Sequence, residues 1–98
     1  MPNIEIHGLA SAEAGAMEIK IRKLFQDAPY SREIVITTIP STVVDLQGRS
    51  QPFFRLYVTL EDNYVQEVID CLARLGVDME VSVLYKFIPA EKEDDSPE

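Results

Sequence analysis

The first half of the chain has the hydrophobic periods of a strand, a helix and a second strand. Residues 3–8 alternate between apolar and polar side chains, which predicts a short strand. Apolar residues then recur every three or four positions behind Ser11, the expected N-cap, and predict a helix with one apolar stripe: Ala14, Met17, Ile21, Leu24 and Phe25. The β-branched run over residues 34–39 predicts the second strand.

The second half repeats this order. Residues 53–60 alternate and predict a third strand, and Thr59 with Asp62 matches the pattern of a helix capping box. The helix expected to follow has one apolar stripe: Val65, Val68, Ile69, Leu72 and Leu75. Gly76 is suited to end that helix, and residues 79–88 predict a fourth strand.

These elements predict a single α/β domain over residues 1–90, followed by a disordered acidic tail over residues 91–98. The expected fold is a two-layer β-α-β-β-α-β sandwich, with a four-stranded mixed sheet and two helices on one face. The two halves have similar lengths, which suggests a structural duplication. The hydrophobic pattern does not specify the order of the strands, and a ferredoxin-like domain has the same order of elements along the chain.

The sheet face turned away from the helices carries apolar residues among polar ones: Val35, Phe53, Tyr57 and Leu84. Scattered apolar residues are normal on a protein surface, but a solvated face is usually more uniformly polar. The connection from residue 40 to residue 52 is also long and contains Val43, Val44 and Leu46. We therefore expect this face and this loop to pack against other subunits.

Net charge excludes two classes of partner. The formal net charge is -8, and half of it lies on the last eight residues. An acidic domain lacks the positive field that binds nucleic acid, and anionic membrane surfaces repel it.

Cysteine content and hydropathy indicate the compartment. The single Cys71 excludes an intramolecular disulfide framework and a multi-cysteine zinc site, and it is expected to be a buried, inert thiol. The chain contains no apolar run long enough to span a membrane and no visible signal peptide. A cytoplasmic location is expected, with no metal and no cofactor.

Pro2 is the main candidate for chemistry. If Met1 is removed, Pro2 presents a secondary amine at the start of the first strand. An α-amino group titrates near pH ~8, and burial or a nearby cation would lower that value, which makes the amine a suitable general base near neutrality. Many chains begin with Met-Pro without any catalytic role, so the dipeptide alone is a weak signal.

Two segments resemble the tautomerase superfamily, the group of 4-oxalocrotonate tautomerase and macrophage migration inhibitory factor. The opening PNIEI resembles the first strand of that superfamily. The segment IVITTIPSTVVDLQGRSQPFFRLYV resembles the central region of the migration inhibitory factor branch. In both, a strand ends at a proline (here Pro40), two apolar residues follow, and a glycine and a serine lead through a second proline (here Pro52) into the next strand.

This resemblance implies a trimeric tautomerase-like protein that transfers a proton next to the carbonyl of a small 2-oxo acid, with Pro2 as its catalytic amine. A substrate carboxylate calls for a cation, and the candidates are Arg32, Arg49 and Arg55. Tyr85 and Lys86 are further substrate-binding candidates, because they lie in the strand that carries polar and aromatic pocket residues in the migration inhibitory factor branch. Arg49 and Arg55 could equally form ion pairs at the surface or at an interface. The chain departs from the family pattern because the start of the first helix, the segment ASAEA, has no cation.

Two alternatives remain open to the catalytic interpretation. The first is a non-catalytic oligomeric binding or structural module of the same fold. The second is a ferredoxin-like domain that senses a ligand.

Overall fold

The computed structural model describes residues 1 to 90, and the predicted acidic tail over residues 91–98 lies outside them. The elements are β1 (Asn3–His7), α1 (Ser11–Phe25), a short 3-10 helix (Ser31–Glu33), β2 (Val35–Ile39), β3 (Phe53–Thr59), α2 (Val65–Ala73) and β4 (Asp78–Leu84). The predicted α/β class and the predicted order of elements are confirmed. Within residues 1–90, no helix is both long enough and apolar enough to cross a membrane.

The sheet has the order β2-β1-β3-β4. β1 runs parallel to β2, β3 runs parallel to β4, and the two pairs meet along an antiparallel contact between β1 and β3. Each half of the chain is therefore a β-α-β unit whose two strands are direct neighbours, as the proposed duplication requires. In a split β-α-β arrangement of the ferredoxin-like type another strand separates each such pair, so the strand order excludes that alternative.

The core lies between the helices and one face of the sheet. Ile4 and Ile6 of β1 and Phe54 and Leu56 of β3 are almost completely buried on this face. They pack in one cluster with residues of the two predicted helix stripes: Ala14, Ile21, Phe25, Val68 and Leu72. Fully burying an aliphatic or aromatic side chain stabilises a fold by roughly 1.5–3 kcal/mol, so this cluster explains the two-layer packing.

Three boundaries differ from the sequence prediction. Helix α1 begins at Ser11 itself, after Ala10, without a side-chain cap. The Thr59 and Asp62 pair does not cap a helix: Asp62 Oδ2 accepts the backbone N–H of Thr59 at 2.7 Å in a turn after β3, and α2 begins only at Val65. Strand β4 ends at Leu84, so the prediction that it extends to residue 88 is wrong.

The connection between β2 and β3 forms a small hairpin. Val44 and Ser50 make an antiparallel bridge, and Asp45 Oδ1 accepts the N–H groups of Gln47 and Arg49, each at 2.9 Å. These bonds hold the turn in place while the Leu46 side chain at its tip is fully exposed. Two of the three apolar side chains that the sequence singled out in this loop, Val44 and Leu46, are therefore presented at the surface by an ordered turn, and Val43 is half-buried.

Gly8 lets the end of β1 pass close to this connection. Its φ is +82°, and a Cβ atom at this position would lie 2.8 Å from the Cα atom of Pro52. The N–H of Gly8 donates to Ser41 Oγ at 2.7 Å. A side chain would therefore meet both backbone strain and a clash, which accounts for glycine here.

Candidate active site at the amino terminus

A cavity of about 300 Å³ lies where β1 begins and β3 ends, on the sheet face opposite the helices. Its apolar walls include Val35, Leu84 and Phe87. Polar groups from four residues also line it: Asn3, Glu5, Tyr57 and Thr59. The volume is at the lower end of the range for small-molecule pockets, about 300–1,000 Å³, and suits a compound with a single ring.

The strand register explains why these residues meet. Asn3 of β1 lies opposite Val35 of β2 and opposite Tyr57 of β3, so the three form one row across the sheet. Thr59 lies opposite Leu84 of β4 in the adjoining row. The cavity thus combines residues from all four strands, which are distant in sequence.

The amino terminus adjoins this cavity and binds an acid. Met1 lines the cavity, and its terminal amine donates to Asp62 Oδ1. The Asp62 side chain is only 7% exposed. Burial by itself would raise the pKa of this carboxyl, but hydrogen bonds from the terminal amine and from Thr59 outweigh burial and hold the pKa below its usual value. Asp62 is therefore a carboxylate at neutral pH, placed beside the start of β1.

Pro2 is buried directly behind this contact. Its carbonyl oxygen accepts the N–H of Val35 at 2.9 Å, which extends the β1–β2 pairing to the second residue of the chain. The backbone position of Pro2 is therefore fixed by the sheet. Loss of Met1 would leave the Pro2 nitrogen as a secondary amine next to the space that Met1 now lines.

The charged residues of the same sheet face bind one another. His7 Nε2 lies 2.8 Å from Glu5 Oε1, and the His7 ring stacks on Phe53 with 4.7 Å between ring centres. Arg55 Nη2 lies 3.2 Å from Glu80 Oε2. Interactions with the Tyr57 hydroxyl and with Glu80 raise the pKa of the Arg55 guanidinium, so Arg55 stays charged while its charge is taken up by Glu80.

The five candidate substrate-binding residues do not line the cavity. Arg55 lies on the same face, one row further along the strands than Tyr57. Arg32 is exposed in the 3-10 helix, and Arg49 is exposed in the hairpin. Tyr85 and Lys86 are exposed beyond the end of β4. Pro2 is not in the lining either, but its two neighbours in the chain, Met1 and Asn3, both line the cavity.

Sequence reasoning missed Asp62 and Asn3 as site residues. The spacing of Thr59 and Asp62 is visible in the sequence, but it predicts a helix cap. In the structure the same pair forms a turn that brings the Asp62 carboxylate to the amino terminus. Asn3 could have been found only with the strand register, which places it between Val35 and Tyr57.

The described part of the chain offers no candidate metal site and no candidate site of thiol chemistry. Among residues 1–90, no group of His, Cys, Asp and Glu side chains is arranged to hold a metal ion. Cys71 is a free, half-buried thiol on α2, less buried than the sequence suggested.

No protein-family model and no curated protein matches the chain significantly. Among solved structures, it is similar to a macrophage migration inhibitory factor of Toxoplasma gondii, with a TM-score of 0.47 and 15% identity over 87% of this chain and 88% of that one. It is also similar to a migration inhibitory factor homologue of Prochlorococcus marinus, with a TM-score of 0.40 and 18% identity over 85% of each chain. Because the scores and identities are low, the fold assignment rests on the chain's own strand order and register. Both of these solved structures are migration inhibitory factors or homologues of them.

Proposed function

We propose that the chain is a tautomerase-like catalyst that moves a proton between the keto and enol forms of small 2-oxo compounds. The 2-oxo acids are the substrate class that the sequence resemblance implies. The proposed base is the Pro2 amine, exposed by removal of Met1. The observation that carries the proposal is the buried Pro2 at the start of β1, beside a cavity of about 300 Å³.

The proposed reaction needs a base and a hydrogen-bond donor. The lone pair of the Pro2 nitrogen takes a proton from the carbon next to the substrate carbonyl, and the C–H electron pair becomes the C=C bond of the enolate. The Pro2 ammonium then gives its proton to the enolate oxygen, which completes the conversion of the keto form to the enol. The Tyr57 hydroxyl and the Asn3 amide line the cavity and can donate to the enolate oxygen. Thr37 Oγ1 donates to Asn3 Oδ1 at 3.0 Å and holds that amide in place.

Asp62 shapes the acid–base behaviour of the proposed site. A carboxylate next to an amine favours the protonated form of that amine. Among the described residues, no Lys or Arg side chain lines the site to stabilise an enolate or a substrate carboxylate. We therefore expect a modest rate for 2-oxo acids that rises from neutral to mildly alkaline pH.

The proposed chemistry calls for no metal and no cofactor, because the amine itself supplies the base. We place the protein in a reducing cytoplasm, where a lone thiol such as Cys71 remains free.

Blocking the amine tests the proposal. Ketonisation of enolphenylpyruvate should be measured with the Met1-free chain, with the same chain acetylated at its terminus, and with Pro2→Ala, which keeps a primary amine. General-base catalysis contributes about a hundredfold or more, so acetylation should remove most of the rate and Pro2→Ala should keep part of it. Equal rates for the free and the acetylated chain would rule out the Pro2 amine.

A second candidate function is a non-catalytic homotrimeric module, and exposed apolar residues on and after β4 favour it. Val83 is 61% exposed and Ile88 is 77% exposed, close to the edge of the sheet. An apolar sheet edge is suited to pairing with another copy.

Sedimentation at high micromolar concentration tests this assembly. We expect a species of about three protomers, and Val83→Lys should dissociate it because the charge would be desolvated. Ala12→Lys adds the same charge at an exposed position of α1 and should have no effect. An 11.1 kDa species alone would contradict a trimer.

A further inference from the structure

The charges around the cavity are unsuited to an anionic ligand. Glu5 lines the cavity with a side chain that is 17% exposed, and the Asp62 carboxylate binds the amine of Met1 at its edge. Neither Lys nor Arg contributes to the lining. Arg55, the cation on the same sheet face, is engaged by Glu80.

Arg55 lies opposite Glu5 on β3 but is bound to Glu80, and among the described residues no Lys or Arg side chain forms an ion pair with the Glu5 carboxylate. Its contact within hydrogen-bond distance is His7 Nε2, at 2.8 Å from one of its two oxygens. The second oxygen is available to accept a hydrogen bond, which an amide N–H or an ammonium can donate and a carboxylate cannot. Two like charges in a partly dry cavity repel each other far more strongly than in water.

The walls suit an aromatic ring. Val35, Leu84 and Phe87 provide apolar surface, and the Tyr57 ring adds an amphipathic group beside them. A ligand with one ring and a short chain would bury its apolar part here and place its polar end near Glu5 and Asn3.

We propose that this cavity binds small arylalkyl compounds whose polar end is neutral or cationic, and that it rejects the corresponding carboxylates. For turnover the inference rests on the proposed function, and it changes the expected substrates from 2-oxo acids to 2-oxo esters, 2-oxo amides and aryl ketones. Binding selectivity itself does not depend on catalysis.

Three ligands of matched shape test the selectivity: hydrocinnamamide, hydrocinnamate and 3-phenylpropylamine. Backbone amide shifts of residues around the cavity, Asn3, Tyr57 and Leu84, should be followed by NMR during titration at low ionic strength. We expect the amide and the amine to bind at least about tenfold more tightly than the carboxylate, because a single close like charge opposes the carboxylate. Tightest binding by hydrocinnamate would overturn the proposal, and so would the absence of shifts with all three ligands.

Two variants identify the source of the selectivity. Glu5→Gln removes the lining charge and should reduce the preference of the amide over the carboxylate severalfold. Asp78→Asn removes a charge from the same face outside the lining and should leave the preference unchanged. If Glu5→Gln does not fold, the titrations can be repeated with the unmodified chain at a higher salt concentration. Salt should screen the repulsion and reduce the preference for the amide over the carboxylate. A preference that neither the variant nor salt alters would contradict a role for charge.

Turnover separates this inference from the proposed function. Proton exchange next to the carbonyl should be compared for phenylpyruvate and its methyl ester, with correction for their rates in buffer. Enhancement of the ester above the acid supports both proposals. If neither the acid nor the ester exchanges faster than in buffer, but the amide and the amine still bind more tightly than the carboxylate, the proposed function is rejected and the proposed binding selectivity is retained. Stronger enhancement of the acid would overturn the selectivity.

Discussion

The two faces of the sheet differ in what they contribute. On the face that the helices cover, Phe54 and Leu56 of β3 are completely buried and pack against Ile4 and Ile6 of β1. On the open face, the same two strands carry ion pairs, a stacked histidine and the candidate cavity. Because side chains alternate along a strand, each strand serves folding with one set of residues and chemistry with the other. Changes on one face should therefore leave the role of the other largely intact.

The largest expected contrast lies between neighbouring residues of β3. Leu56→Ala should lower the free energy of unfolding by about 2–5 kcal/mol, because it leaves a cavity in the core. Tyr57→Ala, on the open face, should cost only about 1 kcal/mol and should weaken ligand binding instead. Denaturant unfolding of the two variants measures the difference. Similar losses of stability would mean that the open face is part of the core of the folded molecule.

Asp62 is expected to have a smaller effect that depends on pH. In the chain that retains Met1, Asp62→Asn removes the charge from two hydrogen bonds and should lower the free energy of unfolding by about 1–3 kcal/mol at neutral pH. The folded-state pKa of Asp62 is lowered, so this stabilisation is fully present above the unfolded-state pKa of ~3.9 and is lost as the pH falls through the folded-state value.

The control for Asp62 is Asp78→Asn, at an exposed position of β4. This variant should unfold like the unmodified chain at neutral and at acidic pH. A destabilisation by Asp62→Asn that persists unchanged in strong acid would contradict the ionic contact at the amino terminus.

The smallest expected effect is the coupling of Arg55 to Glu80 across β3 and β4. The Arg55 side chain is 30% exposed and the Glu80 side chain is 56% exposed. A double-mutant cycle with Arg55→Met and Glu80→Gln should give a coupling free energy of about 0.2–1 kcal/mol in the monomer, since solvent screens such a pair. A coupling of several kcal/mol would mean that the open face is desolvated, as burial against another subunit would make it.

Much of the fold could be predicted from the sequence. Alternation in β1 and β3 and the three-to-four spacing in α1 and α2 identified the elements and the buried face, because burial imposes those periods directly. Strand order and register leave no such period in the sequence. The sequence therefore could not predict that β1 pairs with β2, and it could not exclude the ferredoxin-like arrangement. The extension of β4 to residue 88 was wrong because its apolar end, including Phe87 and Ile88, is exposed and unpaired.

Less of the candidate site than of the fold could be predicted from the sequence. Pro2 could be identified because its chemistry depends only on its place in the chain. The partners of Pro2 depend on long-range geometry: Asp62 is brought to the amino terminus by a turn, and Tyr57 is brought beside Asn3 by the register of an antiparallel pair. The four cations and the tyrosine expected to bind substrate do not line the cavity, whereas the lining itself holds the carboxylate of Glu5.

The most direct test of the central claim is the intact mass of the protein as cells produce it. The proposed chemistry requires the Pro2 nitrogen to be a free amine, so the account predicts a chain that is lighter than the encoded sequence by one methionine residue and carries no acetyl group. Such a chain should also accelerate enol–keto exchange above the rate in buffer. A mass that retains Met1, or an added acetyl group on Pro2, would contradict a catalytic amine and favour the non-catalytic oligomeric module.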